Sequence, residues 1–326
     1  MPIPIKTVDI TVAFCLNAWI CTLHKKGNNM DTNSSPRLFT HMKLDLDAAW
    51  SAWATKVFVP RMAQAQVLFM PANWDGAGMT DLDMAVDICA GGRGIKGQQE
   101  GTLVSSAFAM IIQMHASPED QLALAPFVKF VDAQDMHGSA YEYYLADIAP
   151  EVIEIFSRTG LNACFRAAQT MYRNNDPELF RFMSFYFNGL LKTSRSQVRA
   201  EEEAVQFAEY IGDDRRVAIM RYARFTGTNH ALFRHGVQAI VYVDGFNIGV
   251  TNRKGKIRCD HPLIRAVVEP TGEKWFIHPA GYVFGNGTRK SPATKPSKVD
   301  PFALARAALA ALDAEAAATI ADSHAA

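Results

Sequence analysis

From Phe39 to about Tyr144 the chain alternates short apolar runs with stretches of helical period, and this alternation restricts the fold more than any other feature. "RLFTHMKLD", "AQVLFM" and "DMAVDIC" read as strands, and "AAWSAWATKVFV" and "VSSAFAMIIQMH" as helices. "LAPFVKFVDAQD" reads as a helix running into a loop. Strands separated by helices imply βαβ units and a largely parallel sheet, in which polar groups at the strand C-terminal ends face one crevice.

Beyond this segment the pattern changes to long amphipathic helices: "PEVIEIFSRTGLNACFRAAQTMY", "PELFRFMSFYFNGLLKT" and a charged one across "SQVRAEEEAVQFAEYIGDDRRVAIMRYA". Lys192 to Glu203 reads as a solvated helical face. From Gly236 strands return, with "VQAIVYVDGFNIGVTNR" shaped as a hairpin, followed by "IRAVVEP" and "KWFIHPAGYVFG". The proline-bearing "RKSPATKPSKVDP" leads into a closing alanine-rich helix. The predicted class is therefore α/β: a parallel-sheet N-terminal lobe, a helical middle region and a smaller α+β C-terminal lobe. The expected boundaries are an extension over 1–35, a metal-binding domain over 36–147, a helical connector over 148–235, a substrate-binding domain over 236–312 and an Ala-rich tail over 313–326.

At 326 residues the chain exceeds the usual size of one domain. Its 33 basic and 33 acidic residues balance, so no global field steers it onto nucleic acid, and a nucleic-acid substrate would be short. Five dispersed cysteines, Cys15, Cys21, Cys89, Cys164 and Cys259, signal neither a disulfide framework nor a zinc site, which points to a cytoplasmic protein. Near the start, "ITVAFCLNAWICTL" is short for a membrane span and lacks a cleavage signature, so no membrane association is expected. It reads as a dispensable extension, or as the product of an upstream start with Met30 as the functional one.

"FTHMKLDLDAAW" places His41, Asp45 and Asp47 at the end of an apolar run. On a strand, Asp45 and Asp47 point the same way, and like carboxylates so close repel unless a cation neutralises them. Imidazole with carboxylate suits Mn²⁺, and Mg²⁺ or Zn²⁺ less specifically. The same string also fits a solvent-facing strand end. Acids recur in equivalent places: Asp87 closes "MAVD" ahead of the glycine-rich "ICAGGRGIKG", and Asp132 and Asp135 lie in "FVDAQDMHGSA". Within "AGGRGIKG", Arg93 and Lys96 accompany glycines that let backbone N–H groups approach an anion, or else form an ordinary loop with exposed basic residues.

These residues carry a family resemblance. "THMKLDLDA" resembles the first signature of the DHH phosphoesterase superfamily, H-x-x-x-D-x-D, whose members include RecJ-like nucleases, oligonucleotide and cyclic-dinucleotide hydrolases and manganese-dependent pyrophosphatases. Asp87 resembles the second signature, and "VDAQDMHG" is similar to the fourth in its D-A-x-D-x-G form, found in Myg-type exonucleases. "FIHPAGYVFGNGTRK" is similar to the substrate loop of the associated C-terminal domain, with His278, Gly281, Gly285, Gly287, Arg289 and Lys290. The Asp-His-His string that names the family is degenerate: the corresponding place reads "KGQQEG", with Gln98, Gln99 and Glu100. Glu100, His115 or His137 would have to stand in, or the site holds fewer ions.

The resemblance implies metal-dependent hydrolysis of a phosphodiester or phosphoanhydride in a nucleotide or short oligonucleotide, with one or two Mn²⁺ or Mg²⁺ ions. Carried over, His41 and Asp45 hold one ion, Asp47 the other, Asp87 bridges, and Asp132 or Asp135 completes the set. The alternative is a catalytically impaired protein of the same fold that binds such a ligand without hydrolysis. A third reading is an interaction protein whose aromatic middle, Phe180, Phe182, Phe185, Tyr186 and Phe187, packs as core or joins two copies as a homodimer.

Overall fold

Strand β1 (Arg37–His41) is buried at Leu38, Phe39 and Thr40, on both of its faces, because it is the middle strand of a parallel sheet. β2 (Gln66–Met70) and β3 (Met84–Ala85) flank it in the order β2-β1-β3. This computed structural model describes residues 35–99, 102–103, 105–145, 147–253, 256–288 and 290–325, and Pro36–Ala326 belong to one unit by their contacts. The N-terminal extension, Glu100, Lys254 and Arg289 lie outside the described residues. No described helix is long and apolar enough to cross a membrane.

Helix α1 (Leu46–Phe58) follows β1 and is buried continuously from Leu46 to Thr55. Its alanines allow close approach on every side, and its tryptophans fill the space between elements. Trp50 stacks on Phe187 with ring centroids 3.8 Å apart and packs on Phe108 and Phe127. Those rings come from α7 (Asp176–Phe207), α2 (Ala107–His115) and α3 (Pro118–His137). The other face of the sheet carries Phe39, Ala85, Ile88 and Ala90 against Trp74 and Met79.

Arg37 anchors that second layer. Its backbone N–H, Nε and Nη2 all donate to the buried Asp83 carboxylate, which also accepts from Thr80 N and Oγ1. Burial works to raise the Asp83 carboxyl, but these donors outweigh it and hold it at about 2, below its ordinary 3.8. A depressed native pKa means that the folded state prefers the ionised form, so the contribution is complete above the ordinary value and is lost as pH falls from 3.8 through about 2. It amounts to about 2 kcal/mol. Acid unfolding of Asp83→Asn should lose this dependence, and identical acid midpoints for the variant and the parent would refute the assignment.

Several elements differ from the sequence reading. β1 stops at His41, and Asp45 caps α1, so Asp45 and Asp47 are not alternate residues of one strand. The predicted loop at Asp132 and Asp135 is the last part of α3, where helical packing continues as far as Gly138, in the left-handed region at φ +74°. The first amphipathic run breaks at Gly160 into α5 (Pro150–Thr159) and α6 (Leu161–Met171), after the short α4 (Ala140–Tyr144). A Cβ at Gly160 would collide with the Tyr141 hydroxyl. The next two predicted helices are one, α7. Its supposed solvated face includes buried Glu203, which accepts from Arg224 N, Phe225 N and Thr228 Oγ1. In the aromatic cluster, Phe180 and Phe187 are core while Phe185 is exposed.

A second sheet then forms in the order β10-β11-β9-β8-β7-β6. It contains β6 (Glu209–Ile211), β7 (Val217–Arg221), β8 (Ala239–Asp244), β9 (Asn247–Asn252), β10 (Phe276–Ile277) and β11 (Val283–Asn286). Only β7 and β8 run parallel. β6 and β7 replace the end of the predicted charged helix, since a short apolar run such as "VAIM" suits a buried strand as well as a helix. "IRAVVEP" is helix α9 (Pro262–Val268), started by Pro262 and by His261 Nδ1 accepting from Leu263 N. Ile264 and Val268 pack it against α10 (Pro301–Ala325), a tertiary gain that overrides β-branched propensity. α8 (Thr228–Arg234) lies on the opposite face of the sheet.

Candidate metal centre

β1 delivers His41 at its C-terminal end, and the chain turns into α1 through Lys43, left-handed at φ +58°. That conformation costs an L-residue roughly 1–2 kcal/mol and needs outside support. Asp176, at the start of α7, accepts from Lys43 N at 2.8 Å and Leu44 N at 3.3 Å, and the Gln169 amide donates to Leu44 O. Asp45 Oδ1 caps α1 by accepting from Ala48 N at 2.9 Å, which leaves Oδ2 3.4 Å from His41 Nε2. Asp87 follows β3, also left-handed at φ +51°, and its Oδ2 lies 3.1 Å from the same Nε2. His41 Nδ1 is 3.0 Å from Met42 O, and as an N–H donor there it leaves Nε2 turned toward both carboxylates.

Charge at this point is lopsided. The contacts with Asp45 and then Asp87 push His41 up to about 11 against its burial. Desolvation works to raise Asp45, but His41, the Ala48 N–H and Lys96 hold it below its ordinary value. Burial and Asp45 raise Asp87, although His41 and Lys96 oppose them. Burial and then Asp87 raise Asp47 well above the usual carboxylate range. Asp135 is pushed up to about 6 by desolvation, Asp87 and Asp45. More negative charge gathers here than one imidazolium and Lys96 relieve.

The donor set fits a divalent ion. Among the described residues, His41, Asp45 and Asp87 form a group whose ligand atoms all lie within 4.8 Å of one another. Neighbouring ligands on an ion with bonds of about 2.0–2.2 Å are roughly 3 Å apart, close to the observed 3.1 and 3.4 Å. One imidazole nitrogen with two carboxylate oxygens suits Mn²⁺ or Zn²⁺, and Mg²⁺ more weakly.

No protein-family model and no curated protein matches the chain. Among solved structures it is similar to RecJ in complex with Mn²⁺ from Thermus thermophilus, at 11% identity and a TM-score of 0.25. The match covers 86% of this chain and 52% of that one, so the chain spans about half the length of RecJ. At that TM-score the likeness fixes nothing, and the site stands on its own geometry.

The other residues singled out in the sequence are placed as follows. Asp47, buried in the first turn of α1, spends its oxygens on α2: Oδ2 accepts from Ala107 N at 2.8 Å and Oδ1 from Phe108 N at 2.9 Å, with Ser51 Oγ at 3.2 Å. Asp132 serves the same helix start through Ser105 Oγ and Ser106 N. Asp135 shares a cleft of about 220 Å³ with Asp45, Asp47 and Arg166. Arg93 donates to Met79 O and Gly76 O, bracing a loop. "KGQQEG" overlaps a small hairpin, β4 (Gln98–Gln99) with β5 (Thr102–Leu103). His137 stacks on Tyr143, and His115 ends α2.

In the second sheet His278 packs on Tyr282 and accepts from Ala280 N. Gly281 and Gly287 turn the chain at positive φ, Gly285 lies in β11, and Lys290 is exposed. Among the described residues, none of these makes a hydrogen bond or ion pair with His41, Asp45 or Asp87.

Sequence reasoning missed Asp176 and Gln169. "NNDPELF" signals a helix start, but nothing local says that its acid serves a loop 133 residues away. Asp176→Ala should weaken Mn²⁺ binding roughly tenfold by freeing the His41 to Asp45 turn, with Asp176→Asn intermediate. An unaltered Mn²⁺ titration in both would show that the turn holds itself.

Proposed function

We propose that the chain is a metal-dependent phosphoesterase of the DHH type, acting on a phosphodiester or phosphoanhydride in a nucleotide or short oligonucleotide. The observation that carries this reading is the approach of His41, Asp45 and Asp87 at the C-terminal ends of parallel strands, where an α/β sheet binds ligands. The signature-like string around His41 and the strand-end position of Asp87 support it. A bound divalent ion would supply Lewis acidity and a water of lowered pKa.

The chain's own groups supply the rest. His41 Nε2 and the Asp45 and Asp87 carboxylates would hold one ion, with the Nδ1 contact to Met42 O fixing the tautomer. Lys96, close enough to act on Asp45, Asp87 and Asp135, would meet phosphoryl oxygens beside the ion and favour charge developing there. Asp47 and Asp132 both accept from N–H groups at the start of α2, which ties the first turn of α1 and the last part of α3 to that helix.

The deciding assay uses bis(p-nitrophenyl) phosphate, a short oligoribonucleotide and pyrophosphate, each with Mn²⁺ and with excess chelator. Turnover of at least one substrate is expected with Mn²⁺ and none with chelator. Saturable Mn²⁺ binding without turnover of any of them would leave a binding protein, and absence of Mn²⁺ binding would remove the site altogether.

A further inference from the structure

Among the described α-helices, α5 alone buries no residue, and in it only Ile153 is as much as half-buried. Its sequence is nonetheless patterned to bury a face. At helical spacing Val152, Ile155 and Phe156 fall together on one side, and Glu151, Glu154, Ser157 and Arg158 on the other. A helix of 10 residues gains little stability from its own hydrogen bonds and depends on packing such a face. Within the chain α5 touches α4 and α6, with Phe156 against Tyr141 at 6.4 Å, yet Ile155 stays 59% and Phe156 46% exposed. α6, in contrast, buries Phe165 and Ala168 in the first core.

Ile148, just before α5, and Tyr144, at the end of α4, are exposed as well. With Val152, Ile155 and Phe156 they present on the order of 400 Å² of apolar surface, in the range of patches that serve as interaction sites. The charged residues beside them bring the area to the roughly 800 Å² per partner of a specific interface.

Charge decides what covers this face. The polar side of α5 is acidic toward its start, at Glu151 and Glu154, and basic toward its end, at Arg158. Helices that lie on membranes carry lysine and arginine there, so an anionic lipid surface is disfavoured. A second copy of the chain fits. When two α5 helices cross antiparallel about a twofold axis near Glu154 and Ile155, Glu151 of each stands beside Arg158 of the other, and the helix dipoles oppose. Arg158 already pairs with Glu154 of its own helix at 2.6 Å, and its guanidinium has further N–H groups for a second carboxylate.

We propose that the chain forms a homodimer in which the apolar face of α5 packs antiparallel on its copy. The dimer is thereby placed on α5 and not on the aromatic run of α7, where Phe180 and Phe187 are core. It is independent of the metal reading, since α5 supplies none of His41, Asp45 and Asp87. α6, next in the chain, lines the cleft beside Asp45 and Asp135, so the paired surface lies one helix away from that cleft.

Sedimentation velocity of the full chain from about 1 to 100 µM tests this, and a dimer with Kd below about 20 µM is expected. Ile155→Glu, at an exposed position, should weaken it at least about 100-fold, whereas Phe185→Glu, at an exposed position on α7, should leave it unchanged. Glu151→Lys and Arg158→Glu should each weaken the dimer about tenfold, because each contact occurs twice by symmetry, and the double variant should recover it. A misfolded variant cannot imitate that recovery. The proposal is overturned if the chain is still a monomer at about 100 µM, whether or not that monomer binds phosphatidylserine vesicles. It is overturned equally if Ile155→Glu dimerises as the parent does, if Phe185→Glu dissociates the dimer, or if the charge-exchanged double variant stays apart.

Discussion

Asp87→Asn should weaken Mn²⁺ binding by about 100-fold while leaving the metal-free protein as stable as the parent or more so. Asparagine is the informative replacement because position 87 is left-handed at φ +51°, a conformation that asparagine tolerates and alanine resists. The amide keeps the side chain's shape and removes the charge that raises Asp47 and Asp135. In chelator, the melting temperature should therefore hold or rise. Added Mn²⁺ at about 100 times Kd should stabilise the parent by about 2.7 kcal/mol and the variant hardly at all. An equal Mn²⁺-induced shift in both proteins would place the ion elsewhere or nowhere.

Asp47→Ala should destabilise the fold by about 3 kcal/mol with or without metal. The carboxylate is 3% exposed and ties the first turn of α1 to the first turn of α2 through Ala107 N and Phe108 N. Removing it strands two buried N–H groups at a helix start. Asp47→Asn retains one acceptor but turns an amide N–H toward a donor, so about 1–2 kcal/mol is expected. Urea unfolding with an unchanged slope measures both. If Asp47 were a metal ligand, the order would reverse: Mn²⁺ affinity would fall and metal-free stability would hold.

Local pattern carries much of the architecture. β1, α1, β2 and α2 follow from apolar period alone, as do the β8–β9 hairpin and α10, because each buries a face that its own sequence spaces correctly. Short apolar runs defeat that logic. "VAIM" became a strand and "IRAVVEP" a helix, since only the neighbouring α10 and β8 decide which period buries them better.

At the site the division is sharper. The sequence by itself determined that polar groups follow β1 and β3, because an apolar run ending in His or Asp reads as the mouth of a crevice. It placed Asp45 and Asp47 two residues apart after His41, but the strand it assigned to them, with both carboxylates on one side, did not form. Only the tertiary structure decided how they part: Asp45 turns toward His41, and Asp47 turns inward to cap a helix 60 residues on. The reason is that helix ends expose N–H groups whose partners are chosen by position in space, and spacing along the chain does not encode that position.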